Sequence, residues 1–150
     1  MICPTCKSPM IVVEHKKIEL DYCPECYGVW FDSGELELFL DSLKLENRDK
    51  FLSSILNAPE AKIAERKRRC PICAQRMKKT VVGGKPGILI DVCRGSDGLW
   101  FDGGEIGELM KQLPGKTVKK PGSHHQVEVR VEAFLKDVFQ ARESTRADKK

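Results

Sequence analysis

Cys23-Pro24-Glu25-Cys26-Tyr27-Gly28-Val29-Trp30-Phe31-Asp32-Ser33-Gly34-Glu35-Leu36 is the stretch that decides this chain, because it occurs twice. The near copy runs Cys93-Arg94-Gly95-Ser96-Asp97-Gly98-Leu99-Trp100-Phe101-Asp102-Gly103-Gly104-Glu105-Ile106. A Cys-Pro-x-Cys pair precedes each copy: Cys3-Pro4-Thr5-Cys6 before the first and Cys70-Pro71-Ile72-Cys73 before the second. The proline pre-sets the turn dihedral, and the two-residue spacing turns both sulfurs inward, where backbone N–H groups can donate to them. Two such pairs make a tetrahedron of soft thiolates, the donor set of a closed structural zinc site. Iron in a rubredoxin-type site is the rival for four sulfurs. A thiol-redox reading of Cys-x-x-Cys needs a βαβ context that is missing here.

Outward from the cysteines, Met10–Val13 and Ile18–Tyr22 predict a hairpin, and Val29-Trp30-Phe31 a third short strand. That is the pattern of a zinc ribbon. His15, beside Lys16 and Lys17, reads as an exposed turn residue. Asp32 and Glu35 form a capping box, and Leu36, Phe39, Leu40 and Leu43 put one apolar stripe on the helix that follows. Trp30 is placed to pack between that helix and the ribbon. In the second unit Val81-Val82 and Ile88–Val92 flank a glycine-rich hairpin turn, Gly83 to Gly87. Ile106, Leu109, Met110 and Leu113 repeat the helix stripe.

The cysteine-proline pairs, the hairpin and the Gly-Val-Trp-Phe-Asp-x-Gly-Glu-Leu tail together resemble the bacterial zinc-ribbon family named after transcription factor IIB. The resemblance covers residues 2 to about 40 and again 69 to about 110. It implies a zinc-binding ribbon; it does not imply a transcription factor, because ribbons serve many roles.

The second copy departs at its fourth ligand. With Trp30 aligned on Trp100, Ser96 falls opposite Cys26. Serine is a poor zinc ligand, whereas Asp97, one residue on, carries a carboxylate. The expected ligands are therefore Cys3, Cys6, Cys23 and Cys26 for the first Zn2+, and Cys70, Cys73, Cys93 and Asp97 for the second. Completion by water, by His124 or by His125, and loss of the metal, are the alternatives at the second site. No catalytic residues are expected, since Asp102 and Glu105 are accounted for as a second capping box.

Seven cysteines are an odd count, which argues against a disulfide framework. Met1 leads straight into the first cysteine pair without a leader-like segment, and no apolar run approaches a membrane span. These features predict a soluble, cytoplasmic chain with reduced thiols. The formal charge of +4 is uneven. Residues 59–85 hold nine Lys or Arg against Glu60 and Glu65. Arg66, Lys67, Arg68, Arg69, Lys78 and Lys79 are the candidates for contact with nucleic acid, although no aromatic residue sits among them to stack on bases.

The expected fold is small α+β: two tandem zinc ribbons, each followed by a helix. Residues 1–45 form the first ribbon with its capping helix. Residues 46–69 form a helical basic connector, with one helix near Asn47–Leu56 and another from Glu60 to Arg68. Residues 70–113 form the second ribbon, and residues 114–150 a basic linker and a helix near Val127–Arg142. The expected role is a non-enzymatic zinc-binding scaffold or adaptor contacting proteins, the alternative a nucleic-acid binder working through the connector.

Overall fold

In Ile18-Glu19-Leu20-Asp21-Tyr22 every second residue is apolar, so one face of the strand is buried and the other carries carboxylates. A computed structural model of the chain describes residues 1–15, 17–42, 44 and 47–112. It contains strands β1 (Ile11–His15), β2 (Ile18–Tyr22), β3 (Val29–Asp32), β4 (Lys78–Val82), β5 (Ile88–Val92) and β6 (Gly98–Phe101). Its helices are α1 (Glu35–Ser42), α2 (Arg48–Leu56) and α3 (Glu105–Gln112). The expected helix in residues 127–142, and Leu43 and Leu113 of the helix stripes, lie outside the described residues.

The two ribbons join into one antiparallel six-stranded sheet, in the order β1-β2-β3-β6-β5-β4. The junction is the repeated motif itself. Strands β3 and β6 pair with Trp30 opposite Trp100 and Asp32 opposite Gly98. Because of that register the glycines of Gly28-Val29-Trp30 and Gly98-Leu99-Trp100 have a shared purpose. A methyl group at Gly28 would overlap the Trp100 indole, and one at Gly98 would overlap the Phe31 carbonyl oxygen and the Trp30 ring. Each glycine is the slot for the other copy's tryptophan.

Alternation sorts the two faces. On one, Trp30 and Trp100 pack with Met10, Met77 and the cysteines Cys3, Cys23, Cys70 and Cys93 in a single cluster. On the other, Phe31 meets Phe101 edge-on, with ring centroids 5.5 Å apart. Leu36, Phe39 and Leu40 of α1 and Ile106, Leu109 and Met110 of α3 are the buried residues of those helices. Trp30, Phe31, Trp100 and Phe101 are all fully buried, so the sheet is covered on both faces at its centre.

Two expectations are corrected. Residues 60–68 are not helical. They form a loop held against β4 and the residue before it: Ala61 N–H donates to the Lys79 carbonyl (2.8 Å), Thr80 Oγ1 to the Pro59 carbonyl (3.0 Å), and Met77 N–H to the Arg68 carbonyl (2.9 Å). Helix-forming composition is a weak preference beside such contacts. The capping boxes are also half of what was expected. Glu35 and Glu105 accept the N–H of Asp32 and Asp102 (2.8 and 2.7 Å), but each aspartate side chain accepts from its neighbouring indole N–H instead of from the helix.

Candidate metal centres

Each Cys-Pro-x-Cys pair closes a tight knuckle. Cys3 Sγ accepts the backbone N–H of Thr5 and Cys6 (3.3 and 3.4 Å), and Cys70 Sγ that of Ile72 (3.4 Å). The residue after the second cysteine takes the left-handed conformation: Lys7, Tyr27 and Ala74 have φ of 67°, 64° and 61°. The fourth knuckle differs in a way that explains its ligand. There Ser96 is the left-handed residue (φ 63°), one position early. Its N–H reaches the Cys93 carbonyl (3.2 Å), whereas in the first unit it is Tyr27 that bonds back to Cys23 (2.8 Å). The turn is one residue shorter, so Asp97 is carried to the position that Cys26 holds in the first unit.

The structure brings both expected ligand sets together. In Cys3, Cys6, Cys23 and Cys26, and again in Cys70, Cys73, Cys93 and Asp97, the donor atoms all lie within 4.8 Å of one another. Sulfurs sit 3.4 Å apart in the Cys3–Cys26 and Cys6–Cys23 pairs and 3.6 Å in Cys73–Cys93. These gaps are far longer than a disulfide, and all seven cysteines are free. They approach the ~3.8 Å edge of a tetrahedron built on Zn–S bonds of about 2.3 Å. Asp97 Oδ2 lies 3.2 Å from Cys93 Sγ and 3.5 Å from Cys70 Sγ. Both donor sets fit a tetrahedral zinc. His124 and His125, the other candidates for the second site, lie outside the described residues.

Residues 2–42 match the model of the transcription factor zinc-finger family, a zinc ribbon of the TFIIB kind. Over those residues the first unit is similar to that family. No curated protein and no solved structure matches the chain. The zinc-ribbon family and the two cysteine clusters together make the chain a zinc-binding protein.

Without metal the thiols hold their protons to very different degrees. Burial pushes Cys3 and Cys26 up, and Cys70 up to about 12. At Cys6 burial also acts upward, but hydrogen bonds to Ser8 and the sulfurs of Cys23 and Cys3 outweigh it and bring the thiol to about 6. At Asp97, hydrogen bonding to Cys73 and Cys93 outweighs burial and keeps the carboxyl below its usual range. Zinc takes the thiolate form, so metal uptake releases protons.

A feature missed in the sequence lies beside the second site. Lys79 and Asp91 face each other across the β4–β5 pair and are both about 1% exposed, with Nζ 3.0 Å from Oδ2. Arg68 lies over them, its Nε 3.7 Å from Asp91 and its Nη2 2.6 Å from Asp102. Asp102 also accepts from Trp100 Nε1 (2.9 Å) and from Thr5 Oγ1 of the first unit's knuckle (3.0 Å). Arg68 and Lys79 were expected as surface cations; the fold places both against carboxylates instead. Lys67 likewise pairs with Glu60. The readable signal was the opposite charge of Lys79 and Asp91 at facing positions of one hairpin.

Proposed function

We propose that the chain is a non-enzymatic scaffold or adaptor for protein contacts, held by two zinc ions: one on Cys3, Cys6, Cys23 and Cys26, the other on Cys70, Cys73, Cys93 and Asp97. The observation that carries this reading is the shared cluster. The cysteines of both sites pack on Trp30 and Trp100 across the β3–β6 junction, so metal is tied to the integrity of the whole sheet. Structural zinc contributes on the order of 10–16 kcal/mol to small modules, which suits a chain whose ribbons are too short to build large cores alone.

Four protein donors at each site leave no position reserved for substrate or water. Asp102 and Glu105 are occupied by Trp100, Thr5, Arg68 and a helix-start N–H. The rival reading uses Arg66, Lys67, Arg68, Arg69, Lys78 and Lys79 to hold nucleic acid. It is weakened where Lys67, Arg68 and Lys79 are paired with carboxylates, and where Lys78 Nζ donates to the Ala58 carbonyl (3.1 Å). Thiolate ligands need a reducing compartment, and the cytoplasm supplies one. No helix among the described residues is long and apolar enough to cross a membrane.

Native mass spectrometry of wild type and Asp97→Ala, paired with nucleic-acid titration at several salt concentrations, tests the reading. Two zincs in wild type and one in the variant, with no salt-sensitive binding, agree with it. Unchanged stoichiometry removes Asp97 from the ligands. Nucleic-acid affinity that collapses with salt replaces the adaptor with the rival.

A further inference from the structure

Each copy of the repeat supports the other copy's metal site. Ser33 and Gly103 hold the same place in the two copies, three residues after the paired tryptophans Trp30 and Trp100. Ser33 N–H donates to the carbonyl of Asp97 (2.9 Å), the fourth ligand residue of the second site. Gly103 lies against the carbonyl of Cys26, the fourth ligand residue of the first site, and a methyl group there would overlap that oxygen. The exchange is reciprocal: the chain leaving β3 supports the second site, and the chain leaving β6 supports the first. A further contact runs the same way. Thr5, between Cys3 and Cys6, donates from Oγ1 to Asp102 (3.0 Å). Asp102 also accepts from Arg68 (2.6 Å), two residues before Cys70. The first cysteine pair and the approach to the third therefore meet on one carboxylate.

The two sites are unequal. One offers four thiolates, the other three thiolates and a carboxylate. Zinc is a borderline-soft ion, and the second site gives it one soft donor fewer. Metal binding and the ordering of a knuckle are one event. An ordered first knuckle fixes the Cys26 carbonyl under Gly103 and Thr5 under Asp102, which sets the chain leaving β6. An ordered β3 end in turn fixes the donor that holds Asp97. A filled first site thus raises the fraction of chains whose second site is already formed, and apparent affinity scales with that fraction. Linkage makes the effect equal in the reverse direction. Cys3, Cys23, Cys70 and Cys93 share one buried cluster with Trp30 and Trp100, so disorder at either site reaches the packing of the other.

We propose that the two sites are a coupled, zinc-responsive pair. The site of Cys70, Cys73, Cys93 and Asp97 fills and empties as free zinc varies, and its occupancy sets how tightly Cys3, Cys6, Cys23 and Cys26 hold their own ion. Free zinc thereby controls how much of the chain carries the joined sheet. The inference rests on the two-zinc part of the function proposed above, and not on the kind of partner the chain contacts.

The full chain is held at a series of buffered free-zinc concentrations, and N-ethylmaleimide labelling is mapped peptide by peptide, so that each site is read through its own cysteines. In wild type, Cys70, Cys73 and Cys93 are expected to need more free zinc for protection than Cys3, Cys6, Cys23 and Cys26. Cys26→Ala, which weakens only the first ligand set, is expected to raise the zinc needed at the second site about tenfold. Asp97→Cys supplies the missing thiolate and is expected to hold the second zinc to lower free zinc. The first-site cysteines should then stay protected to about threefold lower free zinc as well, because the two ions leave together. That gain cannot come from misfolding, so it keeps the test decisive where Cys26→Ala fails to fold. Three results overturn the proposal. One is a second-site midpoint in Cys26→Ala within about twofold of wild type. Another is an Asp97→Cys chain in which the first-site midpoint does not move. The third is a wild type in which the first-site cysteines lose protection before the second. A wild type that takes only one zinc at saturation sinks the two-zinc function together with this inference; two zincs that titrate independently sink this inference alone.

Discussion

Gly98→Ala adds one methyl group at the seam between the two ribbons. An added Cβ there overlaps the Phe31 carbonyl oxygen and comes within 2.6 Å of Trp30 Cζ2 and 2.9 Å of Cε2. The carbonyl belongs to the strand paired with Gly98, so no side-chain rotation relieves the overlap, and Trp30 is fully buried with nowhere to move. Strands β3 and β6 must separate. Overpacking costs about 1–3 kcal/mol, and a rigid backbone obstacle places this case near ~3 kcal/mol. The companion substitution is Gly107→Ala, where no atom lies within 4 Å of the new methyl and the site is inside α3. There alanine is worth about 0.5–1 kcal/mol through helix propensity. The same chemical change thus has opposite signs at two sites. Guanidinium unfolding at saturating zinc reads both, with the Gly98→Ala midpoint falling by roughly 1 M. A Gly98→Ala protein that binds zinc and unfolds within about 0.5 kcal/mol of wild type refutes the joined sheet.

Lys79→Met leaves Asp91 buried with only Arg68 nearby, 3.7 Å away. Breaking a buried pair from one side costs about 3–5 kcal/mol, and adding Asp91→Leu should recover most of it in the same unfolding assay. Glu105 gives a pH effect. Burial, and the charge of Asp102 beside it, push its carboxyl up to about 7 although the Asp102 N–H pulls it down. A folded value above the unfolded one means the folded state binds the proton more tightly. Its contribution is therefore greatest below the unfolded pKa and is lost as pH rises toward about 7. Between pH 6 and 7 that loss is about 1 kcal/mol, and Glu105→Gln, which keeps an acceptor for Asp102, should remove it. Parallel stability profiles for wild type and variant over that interval would rule out a raised Glu105.

The knuckles, hairpins and capping helices were legible because each is local: cysteine spacing, alternation and a 3.6-residue stripe all act within a few turns of chain. Asp97 was legible from one misaligned residue, and its cause, the shortened Ser96 turn, is equally local. The joining of the ribbons is long-range, and only an indirect trace existed. Val29-Trp30-Phe31 and Leu99-Trp100-Phe101 are unbroken apolar runs, which suit an interior strand covered on both faces better than an edge. The connector misled because Glu60 to Arg68 has the acids first and the bases last, as a helix does. Its hydrogen-bond partners sit on β4, beyond the reach of any window along the sequence.

The central claim is that metal on the cysteines holds one sheet together through the buried pair Trp30 and Trp100. Chelator titration of the full chain, followed by native mass spectrometry and tryptophan emission on the same samples, tests it most directly. The account predicts two zincs at the start and a red-shifted emission that appears as zinc is lost and reverses when zinc is returned. A zinc-free chain that keeps buried-indole emission while all seven thiols react freely would contradict it.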